Sequence, residues 1–275
     1  MVTQEQRKRQ LAREKFLRQQ QRRTAARRKA RVRNSVIASV LAVAVVGGVT
    51  LYATGAFKDD GKKKSDDVAA SPSAGPSKGP DPCAKPAAGA VKTETWKTAP
   101  KLAIDKSAKY TMTLDTTCGE IGIALKASAA PQTVNSFDFL AGKGYFDHSK
   151  CHRLTTEGIY VLQCGDPTGK GTGGPGYTIP DENLKDASLK NNIYPAGTVA
   201  MANTGQPHTG GSQFFLVYQD SQLPPQYTPF GTVSAEGMKV LKKIADAGAQ
   251  PADPTTGNTA PNATVVIDKA TVAKS

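Results

Sequence analysis

The chain has 275 residues, 38% of them hydrophobic, four cysteines and a formal net charge of +13. That length suffices for one sizeable core with appendages. The charge is concentrated: residues 1–34 hold thirteen Lys/Arg against Glu5 and Glu14, a net +11, and the rest of the chain carries only about +2. The basic balance therefore describes a tail, which argues against nucleic-acid binding by the folded body.

Residues 1–34 contain Leu11, Phe16 and Leu17 but no Pro or Gly. They are predicted to form a basic cytoplasmic tail, helical near lipid, that acts mainly as a topology determinant. Contact with anionic headgroups or RNA fits the same charge. Residues 35–57 read SVIASVLAVAVVGGVTLYATGAF, 23 residues without a charge, long enough to cross a bilayer at about 1.5 Å of rise per residue. The long basic lead favours an uncleaved signal-anchor over a cleaved signal peptide. Arg and Lys on its N-terminal side place that end in the cytoplasm. The expected localisation is the cell membrane, single-pass, with everything after Lys58 outside. Residues 58–100 are rich in Ser, Pro, Gly, Ala and Lys, with prolines at 72, 76, 80, 82 and 86. They read as a linker that holds a domain over 101–275 on the order of 40 Å from the membrane. Trp96 reads as an anchor docking on that domain.

Apolar residues alternate over 110–114 and again at Ile121, Ile123 and Leu125, which predicts a hairpin turning at 115–119. The period changes over 130–141, where Val134, Phe137, Leu140 and Ala141 fall at helical spacing and Pro131 suits a first turn. Two apolar runs, 151–154 and 159–164, flank a turn containing Gly158 and predict a second hairpin. It carries an unusual polar load in His152, Arg153 and Gln163. A glycine-dense loop follows at 165–176. Residues 199–218, VAMANTGQPHTGGSQFFLVY, repeat the arrangement: two strands around a glycine loop, with Asn203 and Gln213 inside. A strand at 230–233, a helix at 234–247 with Met238, Leu241, Ile244 and Ala245 on one face, and a strand at 264–268 complete the chain. The pattern is mainly β with two separated helices. It suits a closed antiparallel barrel capped by helices but does not by itself exclude a sandwich.

All four cysteines lie on the proposed outer side, where disulfides persist. Cys151 and Cys164 sit on the two arms of one hairpin and are expected to pair, leaving Cys83 for Cys118. Four reduced thiols are the alternative. A zinc site using His148, Cys151 and His152 lacks a C-x-x-C pair and is not adopted. The G-x-G-x-x-G at 169–174 is followed by Pro175, Gly176 and Pro180 rather than a helix, so a dinucleotide site is not expected. Ser212 with His152 or His208 lacks the glycine pattern of a nucleophile elbow.

His152-Arg153, the run QCGDPTGKGTGGPGYTIPDE from Gln163, Met201-Ala202-Asn203 and GSQFF at 211–215 together resemble the cyclophilin family of peptidyl-prolyl cis–trans isomerases, over about residues 109–272. The resemblance implies an eight-stranded barrel capped by two helices, no cofactor and no metal, and action on proline-containing polypeptides. It assigns the catalytic role to Arg153, braced by Gln163, with Asn203 clamping the substrate strand. It places Tyr160, Val161, Ala202, Gln213, Phe215, Leu223 and Tyr227 around the substrate, and makes His152 structural. A monomer that assists folding of exported proteins is expected. A groove that binds proline segments without turnover is the alternative. The chain departs from the family pattern in having about two more residues between Arg153 and Tyr160. It also has Tyr160 and Val161 where the family has Phe and Met, Gln222 where Trp is common, and Tyr227 where His is usual. These departures imply weakened cyclosporin binding.

Overall fold

The computed structural model describes residues 80–255 and 257–275, within a compact unit spanning Ser73–Ser275. The expected basic tail, the expected membrane span at 35–57 and the first part of the expected linker lie outside the described residues. Among the described residues no helix is long and apolar enough to cross a membrane.

The first hairpin pairs β1 (Tyr110–Thr116) with β2 (Gly119–Leu125). Tyr110, Met112 and Leu114 on one strand and Ile121, Ile123 and Leu125 on the other are buried, as a period of two requires when one face meets a core. Helix α1 (Pro131–Gly142) follows, with Pro131 in its first turn. Ala130 offers no capping side chain. The distant Glu182 caps the helix instead, accepting from the N–H groups of Gln132 and Thr133 at 3.0 and 2.9 Å. A carboxylate there also meets the positive end of the helix dipole.

Next come β3 (Ser149–Lys150), β4 (Arg153–Leu154), β5 (Val161–Cys164), β6 (Ile193–Tyr194), β7 (Thr198–Met201), β8 (Phe214–Val217), β9 (Ser221–Gln222) and β10 (Pro229–Val233). Helix α2 (Ala235–Asp246) and β11 (Val266–Lys274) end the chain. Ser234 caps α2, its Oγ accepting from Gly237 N–H at 3.1 Å, a contact worth about 1 kcal/mol. Gly237 is needed there because a Cβ would stand 2.8 Å from Val233 Cγ1.

The expected closed eight-stranded barrel is corrected to a curled nine-stranded sheet in the order β3-β11-β1-β2-β10-β7-β8-β5-β4, with β6 and β9 forming a separate pair. The edge strands β3 and β4 do not pair with each other. They are consecutive in the chain, two residues each, so the linking residues Cys151 and His152 bridge the seam. The last strand is also longer than expected and pairs with the whole of β1, from Tyr110 opposite Lys274 to Thr116 opposite Ile267. Phe137 of α1 lies at the centre of the core, its ring 5.3 Å from Phe146, 5.4 Å from Phe214 and 4.5 Å from Phe230.

Both expected cysteine pairs are bonded, Cys83 with Cys118 and Cys151 with Cys164. Residues 80–100, read from sequence as the linker's end, lie along the domain as a strap. Ala84 N–H donates to Thr117 C=O at 2.8 Å, Ala87 N–H to Asp268 Oδ1 at 3.0 Å, and Trp96 packs on Phe139 and Tyr145.

Candidate active site

Strand alternation builds two cores from one sheet. On β5 and β8, Leu162, Cys164, Phe214 and Leu216 face the main core. Their neighbours Val161, Phe215 and Val217 face the other way, into a small second cluster with Tyr194, Ala200 and Leu223. On β4 the same rule buries Leu154 in the main core and turns Arg153 to the second face. Arg153 is the register partner of Gln163, and Gln163 of Phe215.

This second face holds a cavity of about 140 Å³, similar to the ~150 Å³ apolar hollow that admits a benzene ring. Ile159, Val161, Phe215, Leu223 and Tyr227 supply its apolar wall, and Ala202 lies beside them. Arg153, Gln163 and Asn203 supply the polar side. A second, more open cavity of about 810 Å³ adjoins it, sharing Gln163, Ala202 and Asn203 and lined further by Gly173, Pro175, Ser212 and Gln213.

The polar side is a directed relay. Arg153 Nη1 donates to Gln163 Oε1 at 3.2 Å, Gln163 Nε2 to Gln213 Oε1 at 2.9 Å, and Gln213 Nε2 to Gly173 C=O at 2.9 Å. Each amide is thereby fixed in one orientation. Arg153 is half-buried, and among the described residues no carboxylate pairs with it. Burial draws its pKa below the ordinary guanidinium value, opposed by Tyr227. It remains a cation at any physiological pH.

Asn203 turns its side chain inward, donating to Gln226 C=O at 2.8 Å and accepting from Gly205 N–H at 2.9 Å. Those bonds tie down the loop that carries Asn203, which lines both cavities. Tyr227 is held edge-on to Phe215 with centroids 5.4 Å apart. Its backbone is gripped by Tyr194, whose hydroxyl donates to Tyr227 C=O at 2.9 Å. Burial pushes the Tyr194 phenol up to about 12.

The glycine loop is organised by Asp166, which is fully buried. Its carboxylate accepts from Thr168 N–H at 2.7 Å, Lys170 N–H at 3.1 Å, Gly171 N–H at 2.6 Å and Thr172 N–H at 3.0 Å. Burial alone would raise its pKa, but the bonds from Gly173, Thr168 and Gly171 outweigh it and hold the group below the ordinary carboxylate value. The G-x-G-x-x-G run thus encloses a side chain of this chain rather than a phosphate.

The structure brings together Arg153, Gln163, Asn203, Val161, Ala202, Phe215, Leu223 and Tyr227. Gln213 stands one step away, in the adjoining cavity. Tyr160 is corrected: it does not line the small cavity. Its ring lies against Tyr218, 5.9 Å away, and the cavity is lined instead by Ile159, which sequence reasoning missed. Tyr194 and Asp166 were also missed, and both support the site without lining the small cavity. His152 is buried with neither ring nitrogen bonded, and burial lowers its pKa. Cys151 is in a disulfide and offers no thiolate for zinc. Ser212 Oγ donates to Gly165 C=O at 2.7 Å and is 1% exposed, so it is no nucleophile.

The sequence model of the family described as "Cyclophilin type peptidyl-prolyl cis-trans isomerase/CLD" matches residues 111–272. A Mycobacterium leprae protein named "Probable peptidyl-prolyl cis-trans isomerase B" is 52% identical over 149 residues, 51% of this chain and 50% of its own. This chain thus spans about half the length of that relative. A Helicobacter pylori peptidyl-prolyl cis-trans isomerase is 40% identical over 134 residues, covering 48% of this chain and 78% of its own. The crystal structure of a Cryptosporidium parvum cyclophilin-type isomerase aligns with 60% of this chain and 98% of its own at 27% identity and a TM-score of 0.47. With more than half of its length matched, this chain belongs to the cyclophilin-type peptidyl-prolyl cis-trans isomerase family.

Proposed function

We propose that this chain catalyses cis–trans rotation about X-Pro peptide bonds, with Arg153 as the group that stabilises the twisted amide. The observation that carries this is a half-buried guanidinium, unpaired with any carboxylate among the described residues, braced by Gln163 at 3.2 Å beside a cavity sized for one ring. Rotation faces a barrier of about 20 kcal/mol because the C–N bond is partly double. Twisting localises the lone pair on the prolyl nitrogen, and a fixed donor aimed there binds the twisted state better than either planar one. The ring would sit among Val161, Phe215, Leu223 and Tyr227. The backbone edge of Asn203 would take the flanking residues, and Gln163 would hold the guanidinium. A thousand- to hundred-thousand-fold acceleration needs roughly 4–7 kcal/mol. One desolvated cation with restrained neighbours can supply it. Exchange NMR on an Ala-Pro peptide tests the reading. Cross-peaks growing with enzyme concentration support it; binding without exchange leaves a proline-peptide module.

The setting we propose is outside a cell membrane, tethered by residues 35–57 with the N-terminus cytoplasmic, acting on exported proteins. The uncharged 23-residue run supports the tether. The two disulfides suit an oxidising compartment. Protease added to intact cells would remove the domain if it is exposed there and leave it whole if it is cytoplasmic.

A further inference from the structure

The glycine loop that lines the larger cavity is held at both ends by different means. Asp166 grips its first half, through Thr172 N–H at 3.0 Å and the N–H of Gly173. Nothing lies within 4 Å of a Cβ at Gly174. The second half is held by the strap: Trp96 N–H donates to Pro175 C=O at 2.8 Å. At Gly176, with φ of +86°, a Cβ would stand 2.8 Å from Trp96 O and 2.9 Å from Thr95 Cβ. Pro175 and Gly176 line the larger cavity. The backbone of Trp96 is fixed because its indole wedges between Phe139, 5.2 Å away, and Tyr145, 5.8 Å away. The Cys83–Cys118 bond tethers the strap upstream.

We propose that Trp96 is a positioning residue: it fixes the wall of the larger cavity and thereby sets affinity for the residues flanking the substrate proline. This rests on the isomerase reading above. Arg153 and Gln163 keep their orientation without Trp96, because their relay ends on Gly173, which Asp166 holds. Trp96 therefore acts on binding of long substrates and leaves the chemical step alone.

The test uses the full chain in detergent and two peptides, a capped Ala-Pro dipeptide and an octapeptide with Ala-Pro at its centre. Trp96→Ala is expected to raise KM for the octapeptide roughly fivefold or more, with kcat unchanged and the dipeptide KM within about twofold of wild type. Trp96→Phe, which keeps a ring against Phe139 and Tyr145, is expected to restore the octapeptide KM. Gly176→Ala is expected to reproduce the defect from the loop side, with the indole in place. An unchanged octapeptide KM in Gly176→Ala overturns the proposal even if Trp96→Ala does not fold. So does an equal loss on both peptides that Trp96→Phe does not rescue. If wild type binds both peptides without turnover, the isomerase reading fails. The two dissociation constants, measured by titration, then decide the positioning role separately.

Discussion

Arg153 and Gln163 face each other as register partners on β4 and β5, with Nη1 donating to Oε1 at 3.2 Å. The aim of the guanidinium is therefore set by the strand pairing. Arg153→Ala is expected to lower kcat/KM by about 10²–10³-fold, the loss typical of removing one aimed donor. The far-UV circular dichroism should be unchanged. Arg153→Lys should recover little, because a point ammonium lacks the planar fork. Gln163→Glu should pair with Arg153 and blunt it. Exchange NMR on one peptide measures all three.

Asp166 has a structural role. Asp166→Ala strands several loop N–H groups and is expected to cost about 3 kcal/mol or more of unfolding free energy. Urea denaturation reads this as a lower midpoint at unchanged slope.

His152 makes stability depend on pH in one direction. Burial lowers its pKa most, the Asp166 carboxylate opposes and the Arg153 guanidinium adds to the lowering. A His whose folded pKa is depressed stays neutral when folded and takes up a proton when unfolded. Its contribution is full above the unfolded pKa of about 6.5 and declines as pH falls below it, by at most about 1.4 kcal/mol per pH unit. Urea midpoints at neutral and mildly acidic pH should differ in wild type. His152→Gln should narrow the gap.

The Cys151–Cys164 bond closes a loop of sequence separation 13 across the hairpin that carries Arg153. Its removal by a Cys151→Ser/Cys164→Ser double variant should cost about 3 kcal/mol on the chain-entropy account. The double variant is the cleaner test, since chemical reduction would also open Cys83–Cys118.

Gln222 is exposed on β9, next to Leu223 of the small cavity. The resemblance implies a Trp there in relatives that bind cyclosporin well. Cyclosporin should inhibit this chain weakly. Gln222→Trp should tighten inhibition by about tenfold or more, roughly 1.4 kcal/mol.

Most of the site was legible because its residues sit in dense motifs on alternating strands. Arg153 and Gln163 drew notice as polar residues on apolar runs, and the structure explains them by the second, outward-facing core. Tyr160 matches the family pattern by motif position but does not line the small cavity. Adjacent strand residues point to opposite faces, so Tyr160 and Val161 could not share a wall. That rule, applied to the sequence, would have selected Ile159. The strand count was less readable. β3, β4, β6 and β9 are two residues each, too short for any periodicity to register. The end of β11 reads as mixed Ala, Thr and Lys because little of it meets the core: Ala270 is buried, whereas Thr271, Ala273 and Lys274 are exposed. The strap was legible only at Trp96, read as a docking anchor and packed on Phe139 and Tyr145; the rest was not, for a different reason. A Pro- and Lys-rich composition signals the lack of a core of its own, but says nothing about docking on another.

The pairing of β1 with β11 also bears on how this chain comes to be. Tyr110 pairs with Leu125 of the neighbouring strand on one side and with Lys274, far along the chain, on the other. However the polypeptide is delivered N-terminus first, β1 must wait with one flank bare until β11 has emerged. Vectorial assembly thus leaves a latent period in which a nascent copy is itself an unfinished client.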